Sequence, residues 1–485
     1  MHVEPFEVPS FSPEQLSLLK DKLSKTTYPN ELKEDVGWDY GAPTWAVEPV
    51  AKAWLEDYDW EVARAKMNQW HHYHGTLQGM KIHFIHERSS DPNAIPLLLL
   101  HGWPSTFYEF HNVIDDLRDG AFGGQAFHVI VPSLPGFGFS DPPTERGFGV
   151  AKNAALLNEL MIELGYTSYL LQGGDWGAII GKYMATRYKQ NCKAFHTGLP
   201  FCLPPLPTPR NLLFHPFKIV KFFTSVLVGF DRVYGKGKTV LNGATFANAE
   251  WYYGCGYRAI QGTRPYTLAY GLTDSPLGLM AWMLEKYHEW TYHPAEKQDI
   301  EALPSTISTH DFLTQVSIYY LTNTMSSSIR IYYECLHQHE MFKVVIPRVE
   351  VPVAVSAFAH DISKLPQDWL EAATNLHQFS EYESGGHFPA MEEGEQLTKD
   401  IQRFGKLLRP SNTINPRIAY QPATIDQIPI CNKDALFKLS ASLGILSLYG
   451  HSCSSSSNSI IAKDIIWTSS LYACIAAAAA AVAFE

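Results

Sequence analysis

The chain holds 485 residues, 46% of them hydrophobic, including 26 Phe, 25 Tyr and 12 Trp; this composition can bury a large core and excludes a disordered chain or a small disulfide-held scaffold. Its 38 basic and 49 acidic residues leave a net charge of -11. With no long run of Lys or Arg, a phosphate-tracking stripe is excluded, and nucleic acid is not an expected partner.

The first ten residues, MHVEPFEVPS, have neither the basic start nor the apolar stretch of a secretory signal, so the expected address is cytoplasmic, without an N-terminal membrane anchor. Seven cysteines, Cys192, Cys202, Cys255, Cys335, Cys431, Cys453 and Cys474, are odd in number, scattered, and never spaced as C-x-x-C. Neither a disulfide framework nor a zinc site is expected.

In chain order, Ser12-Pro13-Glu14-Gln15 predicts a helix start, because Ser caps, Pro suits the first turn and Gln reaches back to the cap. Leu16, Leu19 and Leu23 mark its buried face. An aromatic stretch around Trp54, Trp60 and Trp70 leads to the alternating residues 81–86, the first expected strand. Residues 1–90 therefore read as a helical lead-in.

Apolar runs at 96–100, 127–131 and 169–171 then alternate with helical stretches, which predicts a parallel sheet with crossovers over residues 91–195. Residues 196–345 turn helical, aromatic and punctuated by Pro, and runs at 351–358 and 375–382 resume as strands within 346–409. An insertion that lets a sheet resume is a lid. Residues 410–485 differ in kind, with a serine cluster at 452–459 and six consecutive alanines at 476–481. The last apolar run, 471–484, is short for crossing a bilayer, so an appendage is expected in preference to a tail anchor.

Gly173-Gly174-Asp175-Trp176-Gly177 lies between an expected strand and an expected helix. This is the setting of a nucleophile elbow, whose glycines let backbones approach while the central side chain is thrust into a pocket. The central residue here is Asp, and a carboxylate attacks a polarised saturated carbon to leave an ester on the enzyme. The plainer reading is that Asp175 caps the following helix.

His101-Gly102-Trp103-Pro104-Ser105 follows the strand at 96–100 and so stands at the same sheet edge. The backbone amides of Trp103 and Trp176 can form an oxyanion hole, while His101 itself reads as structural. Ser384-Gly385-Gly386-His387-Phe388-Pro389 supplies a base, His387, in a glycine-rich loop after the last strand. Asp361, closing the strand at 351–358, is the expected orienting acid, with Asp368, Glu381 and Glu383 as competitors. The order nucleophile, acid, His is that of the α/β-hydrolase fold.

Together these motifs resemble the microsomal-type epoxide hydrolases, a group with soluble fungal members and juvenile hormone epoxide hydrolases, over most of residues 4–408. Further resemblance lies in Tyr58-Asp59-Trp60 with Asn68-Gln69, in the segment from Pro132 through Gly136 to Ser140, and in Asp274-Ser275-Pro276 with Glu285-Lys286-Tyr287. It implies a mostly parallel central sheet, a helical lid, an N-terminal helical meander, and no cofactor or metal. It also implies two lid tyrosines that hold and protonate the epoxide oxygen, which by motif context are Tyr257 and Tyr332, with Tyr333 adjacent. The segment His196-Thr197-Gly198 departs from the pattern, where an Asn is expected nearby.

The expected reaction is hydrolysis of a small hydrophobic epoxide to a vicinal diol, with detoxification and secondary metabolism both open as roles. A haloalkane dehalogenase would share the Asp, His and acid, and a non-catalytic ligand-binding relative would keep the pocket alone. A membrane partner is not expected, and a homodimer is left open.

Overall fold

The computed structural model describes residues 1–235 and 256–408. The expected appendage and Cys255, Cys431, Cys453 and Cys474 lie outside the described residues. Near the start, both halves of the expected capping box are present: Ser12 Oγ accepts the Gln15 amide at 3.2 Å and Gln15 Oε1 accepts the Ser12 amide at 2.9 Å. The helix Pro13–Ser24 buries Leu19 and Leu23, but Leu16 is exposed. Its contacts, to helices Thr44–Glu56 and Pro276–Glu289, cover a narrower stripe than three leucines would span.

Nine strands among the described residues form one sheet. They are β1 (His2–Phe6), β2 (His72–Leu77), β3 (Met80–Glu87), β4 (Ile95–Leu100), β5 (Phe127–Pro132), β6 (Tyr169–Gly173), β7 (Cys192–Thr197), β8 (Val349–Ala357) and β9 (Thr374–Glu381). Their order is β1-β2-β3-β5-β4-β6-β7-β8-β9. From β5 to β9 the pairing is parallel, whereas β1, β2 and β3 form an antiparallel flank.

That flank adds two strands, β1 and β2, that the helical reading of the lead-in did not foresee, and the strand expected to be first is in fact β3. The sequence His72-Tyr73-His74-Gly75-Thr76-Leu77 shows no apolar alternation. His72 is buried nevertheless, because one ring nitrogen meets His83 Nε2 at 2.9 Å and the other meets the Met67 carbonyl at 2.8 Å. Paired ring nitrogens remove most of the penalty for burying a polar side chain. By contrast β4 is buried along its whole length, as a strand covered on both faces must be.

After β4 the chain pairs β5 on one side and then crosses to β6 on the other. Ligands bind outside the carboxyl ends of strands where such a reversal occurs. The ends of β4 and β6 carry Trp103 and Asp175, and β8 and β9 deliver the segments holding Asp361 and His387. The long insertion between β7 and β8 is helical and includes Gly256–Thr263, Pro276–Glu289, Thr309–Thr322 and Arg330–His337. No helix among the described residues is long and apolar enough to cross a membrane.

Candidate active site

Asp175 follows β6 after one intervening residue and begins the helix Asp175–Arg187 with φ 45°, a left-handed conformation costly for any residue with a Cβ. The turn is closed tightly around it. A Cβ on Gly177 would lie 2.1 Å from the Leu100 carbonyl oxygen, and one on Gly102 would lie 2.2 Å from Asp175 Oδ1. Both positions therefore exclude a side chain.

The Asp175 carboxylate is not spent on its own helix. Oδ1 accepts the Trp103 amide at 2.8 Å, and Oδ2 lies 3.2 Å from His387 Nε2. His387 Nδ1 meets Asp361 Oδ1 at 2.8 Å, and Asp361 also accepts the Ile362 amide at 2.7 Å. Asp368 instead pairs with Lys221 at 3.2 Å, while Glu381 and Glu383 are exposed. Burial alone would push the His387 imidazole down, but the Asp361 carboxylate and the Asp175 carboxylate outweigh it and hold the ring above its ordinary value. Burial raises Asp361.

The lid closes over this row with aromatic side chains. Tyr257 stacks near Trp103 at 5.4 Å, Tyr332 meets Trp176 edge-on at 4.7 Å, and the two tyrosine rings lie 5.9 Å apart. Tyr333 stacks on His337 at 3.8 Å instead, which leaves Tyr332 as the buried member of the pair. Burial raises the Tyr332 hydroxyl well above its ordinary value, so it keeps its proton at neutral pH.

Residues 3–110 match the family described as Epoxide hydrolase N terminus, and residues 95–232 match the alpha/beta hydrolase fold. The chain is 33% identical over 420 residues to Epoxide hydrolase 1 of Sus scrofa, covering 84% of this chain and 89% of that one. This chain belongs to the epoxide hydrolase family. Among solved structures, the epoxide hydrolase is similar to the juvenile hormone epoxide hydrolase of the silkworm Bombyx mori, with TM-score 0.69 and 30% identity over 85% of this chain and 95% of that one. It is also similar to Aspergillus niger epoxide hydrolase, with TM-score 0.66 and 28% identity over 84% and 97% of the two chains. The mostly parallel sheet and lid are those of an α/β-hydrolase-fold enzyme.

Sequence reasoning did not find every group at this site of the epoxide hydrolase. Glu392, buried, accepts the Gly386 amide at 3.0 Å, the Phe388 amide at 3.3 Å and, from the lid, the Tyr292 amide at 2.8 Å. The His387 amide in turn donates to the Trp290 carbonyl at 2.7 Å. Lid and histidine loop are thus stitched through one carboxyl group, which burial pushes up to about 7. Glu109, also buried and raised to about 7 by burial, is a second unforeseen neighbour. A Pro followed by an acid in the first turn after His387 signals only a helix start. His101 is buried and accepts the Leu134 amide at 3.1 Å, while His196 lies 3.2 Å from Asp400 Oδ2, behind the site.

Proposed function

We propose that this epoxide hydrolase opens a small hydrophobic epoxide through a covalent ester on Asp175 and releases a vicinal diol. The observation that carries the reading is the setting of one carboxylate: Oδ1 at the Trp103 amide and Oδ2 at the imidazole that Asp361 orients. Trp103, Trp176 and Trp290 beside the tyrosines suit an apolar ring or chain.

In this reading Oδ2 attacks a ring carbon while the carbon–oxygen bond breaks, and Tyr257 and Tyr332 hold the oxygen and supply its proton. A phenol, with an ordinary pKa near 10, readily protonates a far more basic alkoxide. Esterification removes the negative charge of Asp175, so the imidazolium gives up its proton more readily; that proton is matched by the one the tyrosine phenolate regains through solvent, and the neutral imidazole becomes the base. His387 then takes a proton from water, and the hydroxide adds to the Asp175 carbonyl carbon. Oδ1 already sits at the Trp103 amide, and the Trp176 amide completes the oxyanion hole. As the tetrahedral adduct collapses, the departing alkoxide takes the proton that His387 removed from water and leaves as the diol, and the new Asp175 carboxyl passes its proton to the imidazole, which restores the starting carboxylate and imidazolium.

The test is a single turnover in heavy-oxygen water with excess enzyme. Because water attacks the carboxyl carbon, label is expected in the peptide containing Asp175. Label in the diol alone would mean direct attack of water on the epoxide and would remove the ester from the cycle.

A further inference from the structure

The segment Glu285-Lys286-Tyr287 belongs to the lid helix Pro276–Glu289, and the reaction as described has no use for it. Lys286 is nevertheless one of the most deeply buried lysines, at 2% exposure. Its ammonium lies 5.0 Å from the centroid of the Tyr257 ring and 5.7 Å from that of Trp290. Glu285 hydrogen-bonds it, and Glu289 Oε2 lies 3.7 Å away. Trp290 in turn sits 5.1 Å from the His387 ring. An ammonium taken out of water is costly unless it is paired, and here the pairing aims it at an aromatic ring next to the reacting oxygen.

We propose that Lys286 is a positioning residue for the leaving-group proton: its ammonium stabilises the phenolate that forms as Tyr257 protonates the epoxide oxygen. The inference rests on Tyr257 being a proton donor, as proposed above. During ring opening the bond from Asp175 Oδ2 to carbon forms and the ring carbon–oxygen bond breaks. The electron pair of the broken bond goes to the epoxide oxygen, which takes the Tyr257 proton. The negative charge that began on Asp175, beside His387, therefore ends on the Tyr257 phenolate, beside Lys286. A cation over a ring gains more from a ring that has become anionic than from a neutral one. The ester-hydrolysis step moves no charge onto Tyr257, so Lys286 acts on the first half-reaction only.

Other charged groups are turned elsewhere or named in the balance. On the two helices packed against that of Tyr257, Glu334 bonds the Gly147 amide at 2.9 Å and Asp274 pairs with Lys22 at 2.7 Å. Arg330 reaches back to the Ser327 carbonyl, and Arg258 and Arg264 are on or beside the helix of Tyr257 itself. Tyr332, and Asp175 and His387 from the sheet edge, complete the set around the ring. Glu285 and Glu289 hold the ammonium, and their charges oppose its field.

The experiment compares Lys286→Met, which keeps the apolar stem, and Lys286→Arg with the unaltered enzyme in stopped-flow single turnovers of styrene oxide across pH. With Lys286→Met the alkylation rate falls roughly tenfold, ester hydrolysis keeps its rate, and the limb of the alkylation profile set by phenol ionisation moves to higher pH. Lys286→Arg restores most of the rate. Glu289→Gln, which retains the ammonium and removes an opposing carboxylate, moves the same limb to lower pH and gives a second reading should Lys286→Met fold poorly. Equal slowing of both half-reactions, an unmoved limb in both variants, or no recovery with Arg overturns the proposal. Tyr257→Phe in the same assay separates the two levels: normal alkylation there removes Tyr257 as donor, whereas slow alkylation there with unchanged Lys286→Met removes only the lysine.

Discussion

At the scale of single residues, one proton on His387 controls the timing of the proposed cycle. Two carboxylates, at 2.8 Å and 3.2 Å, hold the buried imidazole above its ordinary pKa, so the free enzyme carries an imidazolium at neutral pH, and a base must first lose that proton. Replacing Asp175 by Asn copies the charge change of esterification without substrate. The His387 pKa is then expected to fall by about 1 to 3 pH units, the effect of one close opposite charge. Titration of the histidine ring by NMR in both proteins checks this, and an unchanged value would break the electrostatic link between the two half-reactions. Asp175 and His387 were both nominated by their local sequence, because a glycine-flanked elbow and a glycine-rich loop are short-range features. Along the chain Asp361 is favoured only by its place at the end of an expected strand, with Asp368, Glu381 and Glu383 as competitors. All four carboxylates are plausible along the chain, and one distance of 2.8 Å separates them.

At the scale of elements, the histidine loop and the lid behave as one piece. Gly386 shows why: a Cβ there would meet the Trp290 carbonyl oxygen at 2.3 Å, so lid backbone presses directly on the loop. Glu392 fastens the contact by accepting three amides from both sides. Glu392→Gln keeps one acceptor oxygen and leaves at least one buried amide without its partner, at a cost of about 1 to 3 kcal/mol. The expected kinetic result is specific to the step that uses His387. Ester hydrolysis slows by roughly ten- to a hundredfold, as small misplacements of a base do, while alkylation of Asp175 persists. Rapid-quench measurement of accumulated ester tests it, and loss of both steps together would reduce Glu392 to a folding role. The strands show a similar contrast in legibility. Runs such as β4 declare themselves by apolar content, but β1, β2 and β7 do not. Pro5 interrupts β1, histidines dominate β2, and Cys192-Lys193-Ala194-Phe195-His196-Thr197 has no clean period. Those segments are strands because neighbouring strands supply their hydrogen bonds.

At the scale of the whole molecule, a buried polar knot ties three strands to the closing helix Gly394–Leu408. Asp400 accepts from Ser356 of β8 and Ser380 of β9, both at 2.6 Å, and faces His196 of β7 at 3.2 Å. Burial alone would raise the Asp400 carboxyl, but the His196 contact and the serine hydrogen bonds more than reverse it and hold it well below the usual range. A carboxyl depressed on folding adds stability that is present above its unfolded value, near 3.9, and lost as pH falls through the lower folded value. Asp400→Asn should therefore destabilise the enzyme by about 3 to 5 kcal/mol at pH 7, with the gap to the unaltered protein narrowing below about pH 4. Denaturant unfolding at both pH values decides it, and a gap independent of pH would show that the charge is immaterial.

The sequence by itself determined the fold class and singled out the proposed nucleophile, because both are written in local patterns: apolar runs of strand length, glycines where backbones must touch, and an Asp at the centre of the elbow. Its resemblance to a known family singled out Tyr257 and Tyr332. Only the tertiary structure brought the expected Asp361 against His387, turned Tyr332 inward while Tyr333 stacks on His337, and set Glu392 and Lys286 beside the candidate site. Lys286 lies 101 positions before His387 along the chain and Glu392 only five after it, yet neither spacing reveals an interaction. A charged side chain acquires its meaning from what burial places against it, and burial is set by long-range packing that no local pattern encodes.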